Sequence, residues 1–399
     1  MLTNHQLVKT IGRCVIQPLQ RFGVIPLSWD PYRKQFQRSR WLTLASVVFA
    51  LLFTAGMPLP LWYMIIAIPY SGSGLSAHLV SVQIIVFYVI LPFAYASLFI
   101  NFRQVVLSLN NLAMVYYVVV EDINQIDRNL LKKYLLKIIV VDIILFSVVY
   151  TLYIPYGIGK NYLLLISWIC NAVNNFVVMM VLNMLQVTAV YGSAMFWNIN
   201  TKVSEILDHL CHFYVGELFW KLRNQQKLEY RRNIANKIDE LCFLHRVLDS
   251  NVQRLICAFS FPLLAIFLFL FITILSDMYY DFVLLLKETE TGRDLSIGQT
   301  VSSALLLLVC LLQFFYAISF CALFTGRAEK TGLLLTKLFQ SDLGHRIELS
   351  INVFTLETLH HNYSIRLFGL FSLDFTFMYA TAATMISYLV LLVQFGLAE

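Results

Sequence analysis

The sequence predicts an all-α membrane protein. It should have seven transmembrane helices, the N-terminus cytoplasmic, the C-terminus extracellular, and long cytoplasmic helical extensions. Three observations carry this. The 399-residue chain is 59% hydrophobic and 13% charged, with mean hydropathy +0.71; soluble domains hold about 45–50% apolar and about 25% charged residues. Seven stretches supply the roughly 20 apolar residues that a hydrocarbon core about 30 Å thick requires. Lys and Arg fall almost wholly on one side of those stretches.

Taken in order, residues 1–40 form an N-terminal arm with seven basic residues, one acidic residue and no apolar run before Trp41. No cleavable signal peptide is expected, so the first span serves as its own insertion signal. The spans fall at about 41–68, 77–100, 138–158, 162–190, 255–286, 299–324 and 373–397. Ser71-Gly-Ser-Gly74 after Pro69 reads as a tight turn, Gly157-Ile-Gly-Lys160 parts spans three and four, and Lys287–Asp294 parts five and six. One seven-helix domain covers 1–399. It comprises spans one to four in 41–197, a helical loop at 198–254, spans five and six in 255–324, a polar segment at 325–372, and the last span in 373–399. In residues 200–254, Leu207, Leu210 and Tyr214, then Leu241, Leu244 and Leu248, recur at helical spacing. Spans four and five therefore extend as helices that can bundle against 325–362.

Lys and Arg number 7 in residues 1–40, 5 in 101–137, 9 in 198–254 and 5 in 325–372, so 26 of 29 lie on one side. Positive charge stays cytoplasmic. That orientation is the inverse of a G-protein-coupled receptor, which remains the alternative class, with a transporter third. Tyr156-Gly157 stands where such a receptor would carry an acidic-Arg-Tyr triplet, and the seventh span has no Asn-Pro-x-x-Tyr. The sequon Asn362-Tyr363-Ser364 would be cytoplasmic and unmodified. No hydrolase, phosphate-binding or metalloenzyme motif is present, so no enzyme activity and no cofactor are expected.

Amides inside lipid need partners. Asn171, Asn174 and Asn175 share one face of span four, a turn after Trp168. They either hydrogen-bond between helices or form the polar wall of a ligand pocket. His78 and Gln83 of span two, Tyr153 and Tyr156 of span three, and Asp277 and Tyr280 of span five lie at a similar outer depth. Each alone fits interfacial anchoring, whereas together they suit a mixed aromatic and polar cavity for a small organic molecule. His209, Cys211, His212, Cys242 and His245 lack two clean ligand pairs, so no metal is expected; His360-His361 has no carboxylate pattern beside it. Lys137 and Asp142 read as an interfacial ion pair. Asp374 either lines an inner vestibule or caps the last helix.

Ser387-Tyr388, five apolar residues, then Gln394-Phe395 resembles the closing signature of the insect gustatory receptors, part of the seven-span chemoreceptor superfamily that includes odorant receptors. Phe368-Gly-Leu-Phe-Ser-Leu-Asp-Phe375 resembles that family's segment leading into the last span, and Leu241-Cys-Phe-Leu-His245 is loosely similar in pattern. The resemblance implies a ligand-gated cation channel at the plasma membrane of a sensory neuron. It would be a homotetramer or a heterotetramer with other gustatory receptors, passing Na⁺, K⁺ and Ca²⁺, with no nucleic-acid partner. The last helix of each subunit would line the pore: Gln394 ringing it, Leu391 gating it, Tyr388 and Phe395 flanking them. Four leucines can dewet a narrow passage and four amides can coordinate a partly hydrated cation. Leu389 stands where sugar-type members tend to carry an acid, which points to a bitter or other tastant.

Overall fold

The computed structural model describes residues 4–67, 74–121, 127–157, 162–215, 224–291, 297–337 and 345–398. The expected turn at Ser71–Gly74 and the breaks near Gly159 and Arg293 lie largely outside them. Seven described helices are long and apolar enough to cross a membrane: Arg40–Pro60, Ser81–Val118, Arg128–Leu152, Leu165–Leu210, Ser260–Val283, Val301–Thr336 and Phe375–Phe395. The chain is a multi-pass, almost wholly helical membrane protein.

Several spans run far past the bilayer. Helix α4 (Gly74–Glu121) carries span two, α7 (Tyr162–Val215) span four and α10 (Ile297–Thr336) span six. At 1.5 Å per residue, the 48 residues of α4 reach about 70 Å. Span five is α9 (Ser260–Thr291), which continues from α8 (Asn224–Ala258) across a break at Phe259. Span two bends at the same level: Asn101 leaves helical geometry (φ −101°, ψ 15°), and its Nδ2 donates to the Ala258 carbonyl at 3.2 Å. The extensions of α7, α8 and α10 pack with α11 (His345–His360) into a second bundle at the basic end of the molecule. Arg246 pairs with Glu357, Arg346 with Asp239 at 2.8 Å, and the Thr331 hydroxyl donates to Asn200 Oδ1 at 2.6 Å.

Spans one and three are each interrupted by π-helix. In span one, α2 (Arg40–Leu51) and α3 (Pro58–Ala67) flank a π-helical Leu52–Gly56. Pro58 and Pro60 withhold two backbone donors there, and the turn before them widens. In span three, α5 (Arg128–Lys137) and α6 (Phe146–Gly157) flank a π-helical Ile138–Leu145.

Three features have no counterpart in the sequence reading. The N-terminal arm contains α1 (Asn4–Arg21), whose Leu7, Ile11, Val15 and Leu19 are buried against the bundle. Their four-residue spacing in an otherwise polar stretch was the signal. An antiparallel hairpin follows, β1 (Leu27–Asp30) with β2 (Gln35–Arg38). The Asn110 side chain completes its edge, accepting from Phe36 N at 2.6 Å and donating to Phe36 O at 3.1 Å. A second, minimal hairpin, β3 (Arg366–Leu367) with β4 (Phe371–Ser372), leads into the last helix, α12 (Phe375–Ala398). Its turn holds Phe368 and Gly369 at φ +52° and +71°. Asp374, left open between two roles, caps α12: its Oδ1 accepts from Phe377 N at 2.9 Å and its Oδ2 from the Ser372 hydroxyl at 2.6 Å. These bonds hold the Asp374 carboxyl below the usual carboxylate range.

Spans four and six pack tightly at Gly192, where an added Cβ would stand 2.6 Å and 2.8 Å from Phe324 ring carbons. Gly192→Ala should therefore destabilise the protein by about 1–3 kcal/mol through overpacking, read as a lower thermal midpoint of the purified protein in detergent.

Candidate functional site

The largest departure from the sequence reading lies in the middle of the bundle. Lys137 and Asp142 do not sit at an interface: both side chains are fully buried. Residues five apart diverge by about 140° on an α-helix of 3.6 residues per turn. The π-helical turn beginning at Ile138 closes that angle, and Lys137 Nζ meets Asp142 Oδ1 at 2.9 Å. Two carboxamides complete the pair. Lys137 donates to Asn183 Oδ1 at 2.6 Å and Gln313 Oε1 at 2.9 Å. Asp142 accepts from Asn183 Nδ2 at 2.7 Å and from Gln313 Nε2. Each amide thus turns oxygen to the ammonium and nitrogen to the carboxylate. Tyr134 donates to the Asn183 carbonyl at 3.1 Å, and Gln186 Nε2 lies 3.4 Å from Gln313 Oε1. The cage ties span three to spans four and six.

Gln313 also lines a cavity of about 50 Å³ between spans three, four, five and six, several times the ~10–15 Å³ that holds one water. Its walls are apolar: Phe146 and Val149, Val178, Met179 and Leu182, Ile266, Phe269 and Leu270, then Leu306, Val309 and Cys310. Besides Gln313, the polar groups on it are Tyr150 and Asn175. Asn175 Nδ2 donates to the Tyr150 hydroxyl at 2.5 Å and to Asn171 O and Oδ1 at 3.3 Å. Trp168 packs edge-on against Tyr150, ring centroids 5.0 Å apart.

Of the residues singled out in the sequence, the structure thus gathers Trp168, Asn171 and Asn175 at or behind this cavity. Asn174 is buried one position round the helix and does not line it. Gln83 donates to Thr273 Oγ1 at 3.1 Å, tying span two to span five. Asp277 lies on span five away from the cavity, its Oδ2 buried without a hydrogen bond, and Tyr280 is exposed. The side chains of His78, Tyr153 and Tyr156 lie outside the described residues. Sequence reasoning missed Asn183, Gln186 and Gln313, although an amide in a lipid-length apolar run was the available signal.

At the other candidate site, Leu391 and Gln394 are both exposed on α12, whereas Leu389 and Leu392 are half-buried against the bundle. Tyr388 meets Phe271 edge-on at 6.4 Å, and Phe395 is exposed. Near the basic end, the residues that evoked a metal site have other duties. The Cys242 thiol donates to Glu357 Oε2 at 3.2 Å, and burial pushes its pKa up to about 12. Burial lowers His245 to about 4, leaving a neutral ring beside Phe196 and Tyr363. Cys211 and His212 side chains lie outside the described residues, and no group of three potential metal ligands occurs among the described ones. His361, which the sequence left without a partner, bonds Asp249 Oδ2 at 2.7 Å.

Seven spans, a helical bundle prolonged past one end of them, and a small, largely apolar cavity between spans three to six define a multi-pass helical membrane protein with a cavity inside its bundle. Residues 12–399 match the family model described as "7tm Chemosensory receptor", and the chain belongs to that family. Among solved structures it is similar to the insect olfactory receptor OR5 from Machilis hrabei, at TM-score 0.62 and 13% identity, covering 98% of each chain. The same receptor in complex with eugenol aligns at TM-score 0.57 and 14% identity, over 97% of this chain and 98% of that one. No curated protein sequence matches significantly.

The cage yields a direct test. Asp142→Ala strands a buried ammonium and should cost about 3–5 kcal/mol, whereas Lys137→Met/Asp142→Leu removes both charges and should cost much less. Thermal midpoints of the two purified variants should rank in that order.

Proposed function

We propose that this chain is a gustatory receptor working as a ligand-gated, non-selective cation channel in the plasma membrane, with its N-terminus cytoplasmic. The observation that carries the channel reading is the isolation of the seventh span. Only 6% of its most apolar stretch is buried in the molecule, against 17% to 56% in the other six. Its exposed surface includes a face of mostly small and polar residues, Thr376, Ala380, Ala383, Ser387 and Gln394 with Leu391 among them, at four- and three-residue spacing. A helix turned wholly to lipid would carry large apolar side chains along every exposed face. A small, polar stripe instead suits subunits meeting around a water-filled path, with Leu391 as the apolar constriction and Gln394 ringing the outer mouth. A homotetramer, or a heterotetramer with other gustatory receptors, is the assembly that the family resemblance favours.

The ligand site in this reading is the cavity between spans three and six, with Tyr150 and Asn175 toward one end and Gln313 toward the other. Its apolar walls support a small organic tastant of the bitter or other non-sugar kind, and the eugenol complex of the related olfactory receptor supports a ligand of that size. Basic residues concentrated at the end where the second bundle lies support the N-in orientation.

Two experiments test these assignments. A tag before Met1 should be accessible only after permeabilisation and a tag after Glu399 on intact cells; the reverse pattern would overturn the topology and the channel with it. In recordings, Leu391→Ser should wet the constriction and give current without ligand, while Leu392→Ser, on the half-buried face, should leave basal current unchanged. Gln394→Glu should raise divalent permeability or block. Equal basal currents in both leucine variants, with no change of ion selectivity at Gln394, would remove α12 from the pore.

A further inference from the structure

The ion pair beneath the cavity fixes which atoms of Gln313 remain to face a ligand. An ammonium only donates and a carboxylate only accepts. The Gln313 oxygen must therefore face Lys137, 2.9 Å away, and its nitrogen must face Asp142. The oxygen also receives Gln186 Nε2 at 3.4 Å, so both its lone pairs are engaged. The nitrogen carries two hydrogens and gives one to Asp142. One N–H is left over, on a side chain that lines the cavity among Leu182, Leu270, Val309 and Cys310. Asn183, the matching amide on span four, has the same polarity but does not line the cavity.

We propose that Gln313 is a specificity-determining residue of the cavity and presents its end with one fixed N–H donor, so that the site selects small, largely apolar molecules bearing an acceptor oxygen, such as a ketone or an ether. This rests on the cavity being the ligand site. A donor-only group at this end would bury an unsatisfied hydrogen, and an amide free to flip would accept either kind. The ion pair prevents the flip. Lys137 and Asp142 thus act as positioning residues for ligand recognition through Gln313.

The test is a thermal-shift titration of the purified protein with acetophenone and with ethylbenzene, which lacks the oxygen. One neutral hydrogen bond of about 0.5–1.5 kcal/mol predicts tighter binding of acetophenone by about 2- to 12-fold. Gln313→Leu should bring that ratio to about one while ethylbenzene affinity is retained. Should Gln313→Leu fail to fold, Asp142→Asn/Gln313→Glu keeps one carboxylate beside Lys137 and offers the cavity an acceptor. The advantage should then pass from acetophenone to 1-phenylethanol. An acetophenone advantage surviving in whichever variant folds overturns the proposal. Equal affinities in the unmodified protein overturn the proposal and leave the cavity as a ligand site; no binding of either compound overturns both.

Discussion

A charge in hydrocarbon must find its partners within the protein, because lipid offers none. Lys137 and Asp142 meet that demand completely: three donors and two acceptor oxygens are consumed by each other and by amides from two further spans. Spans three, four and six cannot slide or rotate independently without leaving one of those groups unpaired. The cavity lies directly on this rigid unit, with span five closing its remaining side through Ile266, Phe269 and Leu270. Polar satisfaction thus sets the helix arrangement, and the arrangement sets the size of the cavity.

The coarse fold was legible in the sequence because lipid imposes coarse rules. Length, hydropathy and the one-sided distribution of Lys and Arg located seven spans, and heptad-like leucines in 200–254 marked helices running past the membrane. What escaped were features that depend on local departures from regular helix. The ion pair was read as interfacial because Lys137 and Asp142 stand at the edge of the apolar run, and nothing in Ile138–Leu145 announces the π-helix that turns both inward. The cage amides Asn183 and Gln313 are single polar letters in apolar runs, with partners 46 and 176 residues from Lys137 in sequence. The asparagines of span four were grouped on one face, yet a rotation of 100° between neighbours decides that Asn175 lines the cavity and Asn174 does not.

The N-terminal arm shows a third kind of difficulty. Its helix is signalled only by four apolar residues spaced by four in a polar segment, and its hairpin borrows an edge from Asn110, 74 residues away. An isolated two-stranded hairpin is marginal in water. Here the Asn110 side chain on α4 supplies a missing strand's hydrogen bonds, a tertiary arrangement that no local pattern encodes.

Asp374 gives the last helix a fixed foot. Two hydrogen bonds to its carboxylate define where α12 begins, and the hairpin carrying Ser372 anchors that point to the second bundle and to span five, where Phe368 packs edge-on against Phe261. Above that foot, little of the helix is held by its own chain. Mechanically, α12 is a post clamped at its base and free along its length. A tilt of a few degrees at the clamp displaces the far tip, some 30 Å away at 1.5 Å per residue, by an ångström or more, so the leverage available at Leu391 and Gln394 is set by the stiffness of one short hairpin.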